Sequence, residues 1–191
     1  MGLLPDLNRK KVKSGELHPE RAYIEDESSN FAETIRTIRT GITLSALDSP
    51  HKIILSTSSV PGEGKTTVAC NVALCMSQLE KTLIFDADMR RPSTKKIFDY
   101  DHQSPGMSEL LSGEAEFKDV IHKVKDTNLH VITAGRIPPD PLDLLASKKF
   151  ATLLGTMAER FDRVIIDSPP ISLVSVPVLL SSLAATVVCV I

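Results

Sequence analysis

The stretch SSVPGEGKTT, residues 58–67, constrains this chain more than any other. A strand-like run, KIILSTS, leads into it and a helix-like run, GKTTVACNVALCMSQLE, leads out. A glycine-rich turn between a strand and a helix aims backbone N–H groups and the positive end of the helix at one point, which is how a phosphate is held. The general pattern is G-x-x-x-x-G-K-[ST]. Gly64, Lys65 and Thr66 fill its end, and Ser59 stands where the first glycine belongs. The cradle tolerates that change because backbone amides build it, not the first side chain. Gly62 and Gly64 let the backbone approach a phosphate closely. Lys65 would reach the β and γ phosphates, and the Thr66 hydroxyl would ligate Mg²⁺. With Pro61, Glu63 and Thr67 these are the candidate nucleotide-binding residues. The expected ligands are ATP or ADP with Mg²⁺.

The rest of the chain supplies a scaffold of matching type. A helix is expected from Asn30, where Phe31, Ile35, Ile38 and Ile42 recur on one face and Asn30 with Glu33 resembles a capping box. Strands are expected at KTLIFDAD, NLHVITAG, DRVIIDSPP and AATVVCVI, and a helix at SKKFATLLGTMAERF. Apolar strands alternating with helices imply an α/β P-loop NTPase fold, a mainly parallel, doubly wound sheet with helices on both faces. Residues 1–27 are polar and aperiodic and are expected to form a flexible linker, with the P-loop domain occupying residues 28–191.

Three acids follow strand patterns: Asp86 and Asp88 in TLIFDADMRRP, and Asp167 in RVIIDSPP. Ligands of open α/β sheets bind beyond the carboxyl ends of the strands, so all three are expected near the phosphates.

Composition narrows the function classes. Lys plus Arg is 22 against 24 for Asp plus Glu, a net charge of -2, which gives no global attraction to nucleic acid. Cys70, Cys75 and Cys189 form no C-x-x-C pair and suit a reducing compartment. The five histidines lack metal-ligand spacing. Gly2 after Met1 is not followed by the Ser or Thr that a myristoylation signal wants. Residues 168–191 carry no charge and are long enough to span a bilayer, but their prolines and serines favour a buried helix followed by a buried parallel strand.

Four stretches in order, from about Glu33 to Ile191, resemble the bacterial tyrosine kinases (BY-kinases), the kinase domains of capsule and exopolysaccharide co-polymerases. TLIFDADMRRP is similar to their second acidic motif, RVIIDSPP to their Walker B strand and AGRIPPDPLDLL to their proline-rich loop. ETIRTIRT, with Glu33, Arg36 and Arg39, resembles the E-x-x-R-x-x-R motif through which members form rings. Spacing alone favours an exposed ion-pair row on a helix, and it is the resemblance that turns the triplet into a ring contact.

The resemblance implies ATP-dependent phosphorylation of protein tyrosine. Lys65 and the loop amides would stabilise the transferring phosphoryl group. Thr66 and Asp88 would hold Mg²⁺ with support from Asp167, and Asp86 would accept the proton of the incoming tyrosine. Arg90 and Arg91 would contact phosphates or a neighbouring subunit. It implies further a ring-shaped homo-oligomer, an export machinery fused to the kinase, an opposing tyrosine phosphatase, and a cytoplasmic domain anchored at the inner membrane through a linker like GLLPDLNRKK. The family's tyrosine cluster and its adenine contacts would lie beyond Ile191, and Val176 stands where the family usually has Asp. A rival is the MinD/ParA group of nucleotide-switch ATPases, which carries a lysine early in the loop where this chain has Val60. A nucleotide-dependent assembly scaffold is the non-enzymatic alternative.

Overall fold

In a computed structural model, residues 18–46, 51–101 and 103–191 are described. The expectations placed on residues 1–17, including the linker-like GLLPDLNRKK and the Gly2 position, lie outside these residues, as does His102.

A 3₁₀ turn, Pro19–Arg21, opens the described chain. It is followed by α1 (Ala22–Glu25), α2 (Asn30–Ser45), β1 (Ile53–Ser58), α3 (Lys65–Ser77) and β2 (Thr82–Asp86). Next come α4 (Thr94–Ile97), α5 (Met107–Ser112), α6 (Phe117–Val120), β3 (Ile121–Lys123) and β4 (Leu129–Ile132). The chain then adds α7 (Pro141–Leu145), α8 (Lys148–Arg160), β5 (Arg163–Asp167), α9 (Val176–Ser181) and β6 (Thr186–Val190). The sheet has six strands in the order β3-β4-β2-β5-β1-β6, parallel except for β3 against β4.

Strands β1, β2 and β5 each carry three consecutive apolar residues (IIL, LIF and VII) because both faces of the sheet are covered. On one face, α3 packs under α1 and α2, with Ile35, Val72, Ile84 and Ile165 in one core cluster. On the other, α8 and its neighbours bring Phe150, Leu154 and Met157 against Phe85 and Ile166. The rings of Phe85 and Phe150 meet edge to face at 5.9 Å. The doubly wound fold expected from the alternating patterns is the one observed.

Three local expectations are corrected. Residues 18–27 are not a free arm: Ala22 and Tyr23 are fully buried against α3, held by its side chains. The cap of α2 is Ser29, one residue earlier than expected, with Ser29 Oγ accepting the Ala32 N–H at 3.1 Å. Strand β6 is not buried on both faces. It is an edge strand, and Val187, Cys189 and Ile191 face solvent. Among the described residues no helix is long and apolar enough to cross a membrane.

Candidate functional site

The parallel register fixes where the candidate residues meet. Ser56 of β1 lies opposite Asp167 of β5, which lies opposite Asp86 of β2. All three strands end at the same edge, and the loop 59–64 crosses above it into α3. Gly62 and Gly64 take φ values of 88° and 87°, which side chains rarely adopt, so the loop needs glycine at these two positions. Gly64 is the N-cap of α3, and its carbonyl accepts the Val68 N–H. A glycine-rich loop that ends as the N-cap of a helix is the arrangement suited to a phosphate. Ser59 in place of the first glycine strains nothing: its φ is not in the left-handed region, and its carbonyl accepts the Ser172 N–H at 3.2 Å.

A cavity of about 1000 Å³ opens at this edge. Pro61, Gly62, Gly64, Lys65, Thr66 and Thr67 form one wall, and Asp88, Arg90 and Arg91 another. Pro169, Pro170, Leu173 and Val174 add an apolar side. Lys65 Nζ lies 3.3 Å from Asp88 Oδ2, and the Thr66 hydroxyl donates to Asp167 Oδ2 at 2.7 Å. The second oxygen of Asp167 is buried and accepts no hydrogen bond. Burial, and then the charge of Asp86, push the Asp167 carboxyl up to about 7 against the opposing pull of Lys65 and Thr66. A buried carboxylate oxygen without a donor, a hydroxyl and a second carboxylate nearby make an all-oxygen donor set, which suits a hard divalent cation such as Mg²⁺.

Asp86 and Asp88 separate sharply. Strand β2 stops at Asp86, so the residue two positions on is released from the sheet and turns to the cavity. Asp86 itself is fully buried and is not on the cavity wall. Its Oδ1 accepts the Asp88 N–H, and its Oδ2 accepts the N–H groups of Ser93 and Thr94 and the Thr94 hydroxyl. Burial raises its carboxyl above the ordinary range, while these donors oppose the rise. The candidate proton acceptor thus lies off the cavity wall. Asp86 is turned inward and organises the loop 87–94.

Glu63 is also not on the cavity wall; its Oε2 accepts the Val60 N–H at 2.9 Å. Val176 begins α9 and is buried beside Leu180, so it fills the core where a capping Asp would reach the helix start. Arg36 ion-pairs with Glu33 one turn away, donates to the Glu27 carbonyl and lies 5.4 Å over the Tyr23 ring. The intrahelical pair that spacing allows is therefore formed. Arg39 is half-buried on α2, away from the cavity wall.

The wall formed by His18, Glu20 and Arg21 was missed from sequence. It is anchored by Asn71, fully buried in the middle of α3. The Asn71 side chain accepts the Tyr23 N–H and donates to the carbonyls of Pro19 and Thr67. Its signal was available: an amide within the apolar run VACNVALC needs partners when buried.

With this geometry in place, comparison with known proteins is direct. A family model described as an AAA domain matches residues 51–190. Tyrosine-protein kinase YwqD of Bacillus subtilis is 36% identical over 164 residues, 85% of this chain and 68% of its own length. Tyrosine-protein kinase ptk of Acinetobacter johnsonii is 37% identical over 150 residues, of which this chain spans 20% of the relative's length. The crystal structure of the chimerical protein CapA2B2 superposes with a TM-score of 0.86 at 35% identity, covering 94% of this chain and 83% of that one. The septum site-determining protein MinD from Pyrococcus horikoshii OT3, solved with Mg-ADP, reaches a TM-score of 0.61 at 20% identity, over 73% of this chain and 57% of its own, and shares the fold alone. The chain belongs to the bacterial tyrosine-protein kinase family.

Proposed function

We propose that this chain binds ATP with Mg²⁺ in the cavity and transfers the γ-phosphoryl group to a tyrosine hydroxyl of a protein. The observation that carries the reading is the convergence of Lys65, Thr66, Asp88 and Asp167 at one sheet edge beside the glycine loop. In this reaction the tyrosine oxygen forms a bond to the γ phosphorus as the bond to the β-phosphate oxygen breaks. The tyrosine proton passes to a nearby base. The chemistry is mainly positioning and charge neutralisation.

The loop amides and Lys65 hold the phosphates. Thr66, Asp88 and Asp167 would hold Mg²⁺, which when bound would supply charge neutralisation at the phosphate oxygens. Arg90, exposed on the cavity wall, contacts phosphate, with Arg91 beside it. Asp88, on the cavity wall 3.3 Å from Lys65 Nζ, is the carboxylate placed to act beside the phosphates. For Asp86 to accept the proton, the Ser93 and Thr94 donors must first give way.

By likeness to the named kinases, the physiological setting is regulation of capsule or exopolysaccharide polymerisation and export. There the domain is cytoplasmic, attached to an inner-membrane co-polymerase and opposed by a tyrosine phosphatase. Glu33, Arg36 and Arg39 on α2 are the proposed ring contact, with a second copy as partner. Sedimentation of an Arg36→Ala/Arg39→Ala variant tests that part: an unchanged mass removes it. The alternative, a nucleotide switch, is distinguished by the fate of the γ phosphate, which a switch gives to water. Val60, where the switch group carries lysine, favours the kinase.

A further inference from the structure

The phosphate loop has two soft points. Gly62 and Gly64 flank Glu63, and each sits in the left-handed region with open space where a Cβ would be. Nothing in their own side chains restrains the loop, so its shape must be fixed from elsewhere. The Ser58 and Ser59 carbonyls tie its start to the N–H groups of Ile171 and Ser172, and within the loop the tie is at Val60. The Val60 N–H is accepted by Glu63 Oε2 at 2.9 Å, and the Val60 carbonyl accepts the Ser58 hydroxyl at 2.9 Å. The side chain of Val60 itself is 47% exposed and contributes no packing of that kind. Glu63 thus closes a small ring across the loop, three residues wide, that contains Pro61 and Gly62.

A carboxylate at this place works against the ligand, because the loop is to receive a polyphosphate. Charge is therefore not the reason for the residue; the acceptor oxygen is. We propose that Glu63 is a positioning residue that holds the phosphate loop in its binding shape by accepting the Val60 N–H. The loop is then ordered before the ligand arrives, and binding does not bear the entropy of ordering it. The inference rests on the reading that this loop receives the phosphates of a nucleotide. It assigns Glu63 a part that the motif pattern does not give it, since any residue fits that position.

The test uses the chain and two variants, Glu63→Gln and Glu63→Ala. Gln keeps an oxygen acceptor and drops the charge; Ala drops both. Two measurements are made on each. Amide hydrogen exchange without nucleotide reports the Val60 N–H. Equilibrium binding of a fluorescent ADP analogue with Mg²⁺ reports the loop.

The expected result is a protected Val60 amide in the parent and in Glu63→Gln, and fast exchange in Glu63→Ala. The analogue should bind Glu63→Gln as tightly as the parent or more so, and Glu63→Ala about threefold to tenfold more weakly, the range of one hydrogen bond. Melting temperatures should stay close together, because the contact lies in a surface loop. Parent-like binding by Glu63→Ala overturns the inference. So does a Glu63→Gln variant as weak as Glu63→Ala, which would make the charge the important property. Failure of the parent to bind the analogue would sink the nucleotide reading itself, while the exchange data would still decide whether the Glu63 contact orders the loop.

Discussion

Lys65 Nζ lies 3.3 Å from Asp88 Oδ2, both side chains on the cavity wall and only 16% and 9% exposed. Two residues away, Asp86 is fully buried and surrounded by N–H and O–H donors. These neighbours should therefore fail differently. Asp88→Asn should keep the fold but lose about 10²-fold to 10³-fold in phosphoryl transfer, the scale of a lost electrostatic contact in a water-poor site. Asp86→Asn turns an amide N–H₂ towards existing donors and should cost about 2–3 kcal/mol of stability. Urea unfolding beside a transfer assay separates the two. A stable, inactive Asp86→Asn with an unstable Asp88→Asn would reverse the assignment.

Tyr23 ties the first helical turn to the nucleotide helix. Its N–H donates to Asn71, its hydroxyl donates to Gln78 at 2.6 Å, and its ring lies under Arg36. Tyr23→Ala should cost about 3 kcal/mol, as for a large buried aromatic. It should also free His18, Glu20 and Arg21 from the cavity wall, raising the KM for ATP more than it lowers kcat. Denaturant midpoints and steady-state kinetics check both parts.

Gly106 and Gly135 approach so closely that a Cβ on Gly106 would stand 2.3 Å from the Gly135 nitrogen. Glu109 fills the remaining space. Burial alone would raise its carboxyl, but the N–H groups of Gly106 and Arg136 and the Arg136 side chain bring it below its ordinary value. Gly106→Ala has only backbone to push against and should cost about 3 kcal/mol. Thermal melting measures it, and a parent-like melting temperature would contradict the packing described.

His122 and His130 sit on the β3–β4 edge. Burial holds both imidazoles below their ordinary value, aided at His122 by Lys95 and at His130 by Lys81 and Lys123. In the unfolded chain a histidine protonates near pH ~6.5. Below that value the unfolded state binds more protons, so stability falls as pH drops from the unfolded value towards the folded one. His130→Phe should therefore lose less stability than the parent between pH 7.5 and pH 5, seen as a shallower slope in denaturant midpoints. Equal slopes would remove His130 from the account.

Much of this molecule was legible from sequence, for identifiable reasons. Strands β1, β2 and β5 announce themselves because burial on both faces calls for consecutive apolar residues, here IIL, LIF and VII. The phosphate loop announces itself because GKTT needs only local geometry. The turn Pro19–Arg21 and helix α1 did not, since three and four residues are too few to show a period and their order comes from Asn71, far along the chain. Strand β3 is three residues, His122 between Ile121 and Lys123, too short for any pattern. Asp86 and Asp88 looked alike, because nothing in DAD tells where β2 ends. One residue of sheet decides which carboxylate faces the cavity and which is turned inward.

The fate of the γ phosphate tests the central claim most directly. The chain is incubated with Mg²⁺, γ-labelled ATP and a random copolymer of glutamate and tyrosine as acceptor, beside Lys65→Met. The copolymer is needed because Tyr23 is fully buried and Tyr100 half-buried. Label on tyrosine, lost with Lys65→Met, is the predicted result. Label recovered only as free phosphate would contradict the kinase reading and leave a nucleotide switch.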